Sequence, residues 1–121
     1  MELEALPYEL TVCKLEDLLD VDLSREFYFL GRTDEELSLV CKTEDTPAGA
    51  IFRDDGWMGF RIQGELDFSL IGILSRLTAV LAAEKIGIFA VSTFNTDYVL
   101  VRKEHFNQAA RALSDAGYVL V

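Results

Sequence analysis

"FSLIGILSRLTAVLAAEKIGIFAVSTFNTDYVLVRK", residues 68–103, changes its hydrophobic period partway along. Leu70, Ile73, Leu74, Leu77, Val80 and Leu81 recur at spacings of three and four, which places them on one face of a helix. The spacing predicts a helix over 68–87, with Asp67 or Ser69 as N-cap and Gly87 as the C-terminal stop. From Ile88 onward the chain reads as strand: "IFAVST" (88–93) and "DYVLVRK" (97–103), rich in β-branched and aromatic residues. A polar knot joins the two strands.

Just upstream, "MGFRIQGEL" (58–66) is an alternating strand. "KEHFNQAARALSDAG" (103–117) is a second helix, with Phe106, Ala109, Ala110 and Leu113 on one face and Gly117 ending it. "YVLV" (118–121) closes the unit as a strand. The order β-α-β-β-α-β predicts an α+β, ferredoxin-like fold: an antiparallel sheet with two helices on one face. Strands 88–93 and 97–102 are apolar on both faces, and helices cover only one. A partner chain is the simplest cover for the other, which predicts a homodimer.

The first half repeats this order in reduced form. "YELTVCKL" (8–15) reads as a strand and "LEDLLDVDLS" (15–24) as a helix with an acidic outer face. "EFYFLGRT" (26–33) and "ELSLVCKT" (36–43) form a hairpin around "TDE". "EDTPAGA" (44–50) supplies a turn of helix, and "IFRDDGW" (51–57) a short strand with an Asp-Gly turn. The chain thus divides into a degenerate unit, 1–57, and a full unit, 58–121, with an internal repeat of roughly sixty residues.

Charge narrows the partners. Residues 1–60 hold fifteen Asp+Glu against five Lys+Arg and carry the whole net charge of −10, while 61–121 are neutral. An acidic half with no Lys/Arg cluster repels phosphate, which argues against nucleic acid and against anionic membranes. The N-terminal "MELEALPYEL" has neither the basic start nor the apolar run of a signal peptide. No apolar stretch reaches the ~20 residues that span a bilayer. Cys13 and Cys41 lie in apolar strands and read as buried thiols in a reducing cytoplasm. With no CxxC, no neighbouring histidine, no Gly-rich phosphate loop, no GxSxG and no HExxH, neither a metal, a cofactor nor an enzyme is expected.

Two constellations remain. "GELDFSLIGIL" (64–74) leads from a strand into a helix N-terminus, whose first N–H groups lack partners and favour an anion. Gly72 there either admits a ligand to the backbone or simply lets the helix pack closely on the sheet. The second constellation is the knot between the strands, with Ser92, Thr93, Asn95, Thr96 and Asp97. These are ordinary turn residues. In a β-α-β-β unit, however, Ser92, Thr93 and Phe94 come close to the turn at Leu70–Ile73. Helix N–H groups at one end and Asp97 at the other then match the two charges of a free amino acid. His105 reads as solvated, Asp54-Asp55-Gly56 as a turn, and Trp57 and Met58 as core.

At these two motifs the sequence resembles the ACT domain, the small-molecule-sensing module of amino-acid-regulated enzymes. "G-x-L-D-F-S-L-x-G-I-L" followed by "S-T-F-N-T-D-Y-x-L-V" is similar to the stand-alone tandem ACT proteins of bacteria. These are related to the ACT repeats of aspartate kinases and of the CASTOR arginine sensors. The resemblance covers 58–121, and the first half fits a degenerate first unit. It implies a ligand held where ACT units or subunits meet, with backbone contacts from Gly72 and Ile73. Thr93 and Phe94 would hold the ligand by backbone and ring, Asp97 would pair with its cationic group, and Ser92 belongs to the same motif. The first half has no second copy of S-T-F-x-x-D, so the facing side of the pocket would come from another subunit. The expectation is a cytoplasmic, homodimeric, non-catalytic protein that binds an amino acid or similar small metabolite. Two alternatives stay open: a structural or protein-interaction module without ligand, and a small enzyme pairing Cys13 or Cys41 with His105.

Overall fold

Ile73, Leu77 and Leu81 form the buried face of α1 (Ile73–Ala83) in the computed structural model, which describes residues 1–64 and 71–121. Leu70 and the two candidate N-caps, Asp67 and Ser69, lie outside the described residues. At the helix N-terminus Gly72 takes a left-handed conformation, φ 78°. At the other end the helix stops before Gly87. Lys85 takes φ 60°; its N–H bonds Ala82 O at 2.9 Å, and Ile86 N–H bonds Leu81 O at 3.0 Å. This is a Schellman cap with a lysine at the position that usually holds glycine. Ile86, 5% exposed, supplies the hydrophobic contact that goes with it.

The chain forms two compact units: Tyr8–Trp57, and Met58–Val121 together with Met1–Pro7. In the larger unit α1 and α2 (Phe106–Asp115) cover one face of a sheet. Its strands are the C-terminal part of β5 (Ala50–Ile62), β6 (Ile88–Ser92), β7 (Asp97–Arg102), β8 (Val119–Leu120) and β1 (Glu2–Ala5). Leu3, Phe60, Ile62, Val99 and Val101 point from the strands into a core shared with Leu77, Leu81, Ala109 and Leu113. All four expected α2 positions, Phe106, Ala109, Ala110 and Leu113, belong to that core.

β1 corrects the expected topology. Residues 1–7, assigned from sequence to the first unit, join the second, and the sheet order is β6-β7-β5-β1-β8. β1 runs antiparallel to β5 and therefore parallel to β8, so the sheet is mixed rather than purely antiparallel. The pattern of residues 2–5 explains the insertion. Leu3, fully buried, joins the core and Ala5 packs against it. Glu4 points to the other face and accepts from Arg61 Nη1 at 2.9 Å. Burial works against the charge of Arg61, but Tyr98 Oη, accepting at 3.2 Å, and Glu4 outweigh it, and the guanidinium pKa is raised.

The smaller unit carries β2 (Leu10–Leu15), β3 (Tyr28–Arg32), β4 (Leu37–Lys42) and the first part of β5, in the order β3-β4-β2-β5. The helix expected over 15–24 is replaced by turns. Leu19 N–H donates to Asp17 Oδ1 at 3.0 Å and Ser24 N–H to Asp22 Oδ1 at 3.1 Å. Such short-range bonds offer the backbone an alternative to the helix, and like charges at Glu16 and Asp20, four apart, weaken the helix further. Nor do Asp54-Asp55-Gly56 make a turn. β5 runs straight through them, and Gly56 (φ 87°) accommodates a bulge where Leu10 pairs with Trp57 but Val12 pairs with Asp54.

The repeat is sharper in structure than in sequence. β6, β7 and the 3-10 turn Lys103–His105 each start and end sixty residues beyond β3, β4 and the 3-10 turn Thr43–Asp45. The hairpin register shifts by the same amount, Tyr28↔Cys41 becoming Ile88↔Val101. The smaller unit lacks the helices. Its core of Cys13, Leu15, Leu37, Leu39 and Cys41 is packed by Val21, Tyr28 and Ala50 instead.

A residue other than glycine in the left-handed region is strained. Lys85→Gly should therefore raise stability by about 0.5–1 kcal/mol, after allowing for the greater freedom of glycine in the unfolded chain. Urea unfolding monitored by circular dichroism checks this, and an unchanged or lowered midpoint would refute it.

Candidate functional site

The polar knot is a closed hairpin turn. Thr93 N–H donates to Thr96 O at 2.8 Å, and Thr93 Oγ1 donates to the same oxygen at 3.0 Å. Just outside the turn, Ser92 and Asp97 are paired in the β6–β7 register, and Ser92 Oγ donates to Asp97 Oδ1 at 2.6 Å. Phe94 projects from the tip, 81% exposed. The local turn chemistry expected of these residues is therefore present. The matching turn of the smaller unit repeats it, with Thr33 N–H donating to Glu36 O at 2.9 Å. There, however, Arg32 and Leu37 replace the Ser92–Asp97 pair.

One contact goes beyond a turn. Thr96 is 7% exposed, and its hydroxyl donates to Ile62 O at 2.7 Å. Ile62 is the last residue of β5, the strand that leads toward α1. The hairpin tip is thereby fastened to the strand end, with its backbone held in place. Ser92, Thr93, Phe94 and Asp97 are brought together on that tip. Gly72 and Ile73 form a second group at the start of α1, where Ile73 is buried and Ile71 is 86% exposed.

Two further residues belong to these groups, Thr96 and Arg76, and little in the sequence marks them. Thr96 looked like one turn residue among several, and only the fold brings its hydroxyl to a carbonyl 34 residues away. Arg76 lies one helical turn beyond Gly72, and Nη1 donates to Ile71 O at 3.2 Å. A Cβ on residue 72 would sit 3.1 Å from that nitrogen, so glycine leaves room for the guanidinium across the first turn. The i, i+4 spacing of glycine and arginine was the available signal. Arg76 also lines a cavity of about 290 Å³ with Met1, Ile73, Ala116, Gly117 and Tyr118.

The remaining candidates sit elsewhere. Cys13 and Cys41 are buried free thiols in the smaller unit, and His105 is in the larger one. Burial raises the pKa of both thiols, that of Cys41 to about 11. Asp55 bonds Thr11 Oγ1 at 2.7 Å and Arg53 Nε at 3.1 Å, with the Thr11 bond the main cause of its lowered pKa. Trp57 is buried. Among the described residues, no three His, Cys, Asp or Glu side chains gather as a metal site requires, and no helix is long and apolar enough to cross a membrane.

A βαββαβ unit with both helices on one sheet face, preceded by a shortened copy of its strands, defines an α+β fold of the ferredoxin-like, ACT type. The chain belongs to the ACT domain family, whose profile matches residues 53–115. It is similar to a structure of an Agrobacterium tumefaciens protein, with 33% identity and a TM-score of 0.87, covering 99% of this chain and 91% of that one. A Vibrio cholerae protein shares the fold at 23% identity, with a TM-score of 0.74 and coverage of 94% and 88%. The aspartate kinase of Clostridium acetobutylicum, an allosteric enzyme, shares it at 14% identity with a TM-score of 0.67. There 94% of this chain corresponds to 34% of the kinase. No curated protein matches the chain.

Thr96→Val removes the only side-chain bond to Ile62 O among the described residues and should cost about 1–2 kcal/mol of stability in urea unfolding. An unchanged midpoint would show that the tether contributes nothing. For the thiols, iodoacetamide at pH 8 should label neither until the protein unfolds. Folding raises the Cys41 pKa above its ordinary 9.0, so the associated stability is complete below that pH and is lost as pH climbs toward about 11. Rapid labelling of either native thiol would revive the cysteine-enzyme reading.

Proposed function

We propose that this chain is a non-catalytic regulatory ACT protein of the cytoplasm that binds an amino acid or a similar small metabolite. It acts as a homodimer, and its partners include neither nucleic acid nor membrane. The ligand lies against Gly72 and Ile73 at the start of α1 and against Ser92, Thr93, Phe94 and Asp97 on the β6–β7 tip, with the far wall supplied by the second subunit. Family membership and the allosteric kinase neighbour support a regulatory role. The observation that carries the site is the Thr96–Ile62 bond, because it ties the hairpin tip to the end of β5, the strand that leads toward α1. Pre-organisation of this kind lowers the cost of binding.

Asp97 provides the cation-binding group. Ser92 occupies Oδ1, and among the described residues nothing donates to the other oxygen, which leaves an acceptor for an ammonium. Regulation follows if the ligand binds one dimer arrangement more tightly than another and so shifts the population between them.

One observation favours a second reading, a structural module without ligand: the hydroxyls of Ser92, Thr93 and Thr96 all donate to acceptors of the chain itself. A thermal-shift screen against the twenty amino acids and common nucleotides separates the two. A ligand at about 100 times its Kd stabilises by roughly 2.7 kcal/mol, a midpoint rise on the order of 10 °C. Asp97→Ala should abolish that rise. A flat screen with the unaltered chain would eliminate the sensor reading.

A further inference from the structure

We infer that the cavity lined by the first turns of α1 and the C-terminal end of α2 is the carboxylate subsite of this protein, with Arg76 as the group that binds the carboxylate. The inference rests on the amino-acid-binding function proposed above and assigns the group that meets the carboxylate of the ligand.

Four observations carry it. The first is chemistry: of the six residues lining the cavity, Arg76 alone has a charged side chain. The second is availability. In a chain with 21 acidic residues against 11 basic ones, Arg25, Arg53 and Arg61 each pair with a carboxylate. The one acceptor that Arg76 bonds among the described residues is the backbone carbonyl of Ile71. That bond uses a single N–H, and among the described residues nothing accepts from its other donors, which the planar fork of arginine can offer to a carboxylate as two parallel bonds.

The third observation is room. Gly72 takes φ 78°, and a Cβ there would crowd Arg76 Nη1, so the glycine next to the cavity leaves the guanidinium space to lie where it does. The fourth is size and lining. About 290 Å³ lies at the lower end of small-molecule sites, roughly 300–1,000 Å³, which suits an amino acid better than a nucleotide. Ile73, Ala116 and Tyr118 offer apolar surface for the body of the ligand. Helix N–H groups alone offer an anion only partial charge, and Arg76 supplies the full charge they lack.

The test compares each L-amino acid with its α-carboxamide by isothermal titration on the full chain. Four proteins are used: the unaltered chain, Arg76→Gln, Arg76→Lys and Asp97→Asn. In the unaltered chain the carboxamide of the binding amino acid should bind about 30-fold more weakly than the acid, in line with the loss of a charge-assisted pair. Arg76→Gln should weaken the acid by a similar factor and leave the amide nearly unchanged, so that the ratio collapses toward one. Arg76→Lys should retain part of the discrimination. Asp97→Asn should weaken acid and amide together and preserve the ratio. Arg76 is exposed and makes no ion pair among the described residues, so the unliganded melting midpoint of Arg76→Gln should equal that of the unaltered chain. Undiminished binding of the acid by Arg76→Gln, or an unchanged acid-to-amide ratio, overturns the subsite while sparing the proposed function. Failure of every amino acid to bind the unaltered chain overturns both.

Discussion

Phe60 lies flat against Phe106, ring centroids 4.9 Å apart and planes 9° from parallel, in a core where Phe60 is fully buried. This contact joins the strand that begins the βαββαβ unit to the helix that nearly ends it. Leu3, Ile62, Val99 and Val101 from the sheet and Leu77, Leu81, Ala109 and Leu113 from the helices enclose it. Each large apolar side chain buried this way contributes roughly 1.5–3 kcal/mol. Ile73, Leu77 and Leu81 on α1 and Ala109 and Leu113 on α2 all face this one layer. Where α1 begins, and hence where Gly72 and Arg76 lie, follows from how that layer packs.

The smaller unit shows what happens when the helical layer is missing. Its hairpin keeps the register of the larger one at a sixty-residue offset, because a hairpin is specified locally by turn chemistry and cross-strand pairing. The helices are not specified in that way. Turns centred on Asp17 and Asp22 take the place of the first, and the core is packed by Val21, Tyr28 and Ala50. The Ser92–Asp97 pair has become Arg32 and Leu37, so the smaller unit retains the scaffold of the motif without its carboxylate. The degeneracy of the smaller unit is thus an absence of helices and of one carboxylate–hydroxyl pair, with the strands intact.

Much of this could be read along the chain. The stripes over Ile73–Leu81 and Phe106–Leu113, the two hairpins and the repeat all depend on residues close in sequence, so their patterns are visible there. The failures have two causes, local side-chain bonds in one case and distant strand partners in the other two. An acidic, leucine-rich run at 15–24 resembles an amphipathic helix until side-chain-to-backbone bonds at two aspartates capture the N–H groups. Asp54-Asp55-Gly56 resembles a turn until β2 and β5 pair through it and make it a bulge. β1 is too short to stand out, and its place was decided by a partner strand some sixty residues away.

The candidate site divides along the same line. Its residue types, the glycine before a helix and the carboxylate beside a hairpin, were determined by the sequence alone, because each belongs to a local motif. Three things were decided only by tertiary structure. Thr96 reaches Ile62 O, Asp97 gives one oxygen to Ser92, and Arg76 lines a cavity with Ala116, Gly117 and Tyr118. The Thr96 bond and the Arg76 cavity join residues far apart in the chain, and the Asp97 bond needs the two hairpin strands in register. No periodicity records where a hydroxyl or a guanidinium comes to rest once helices have packed on a sheet.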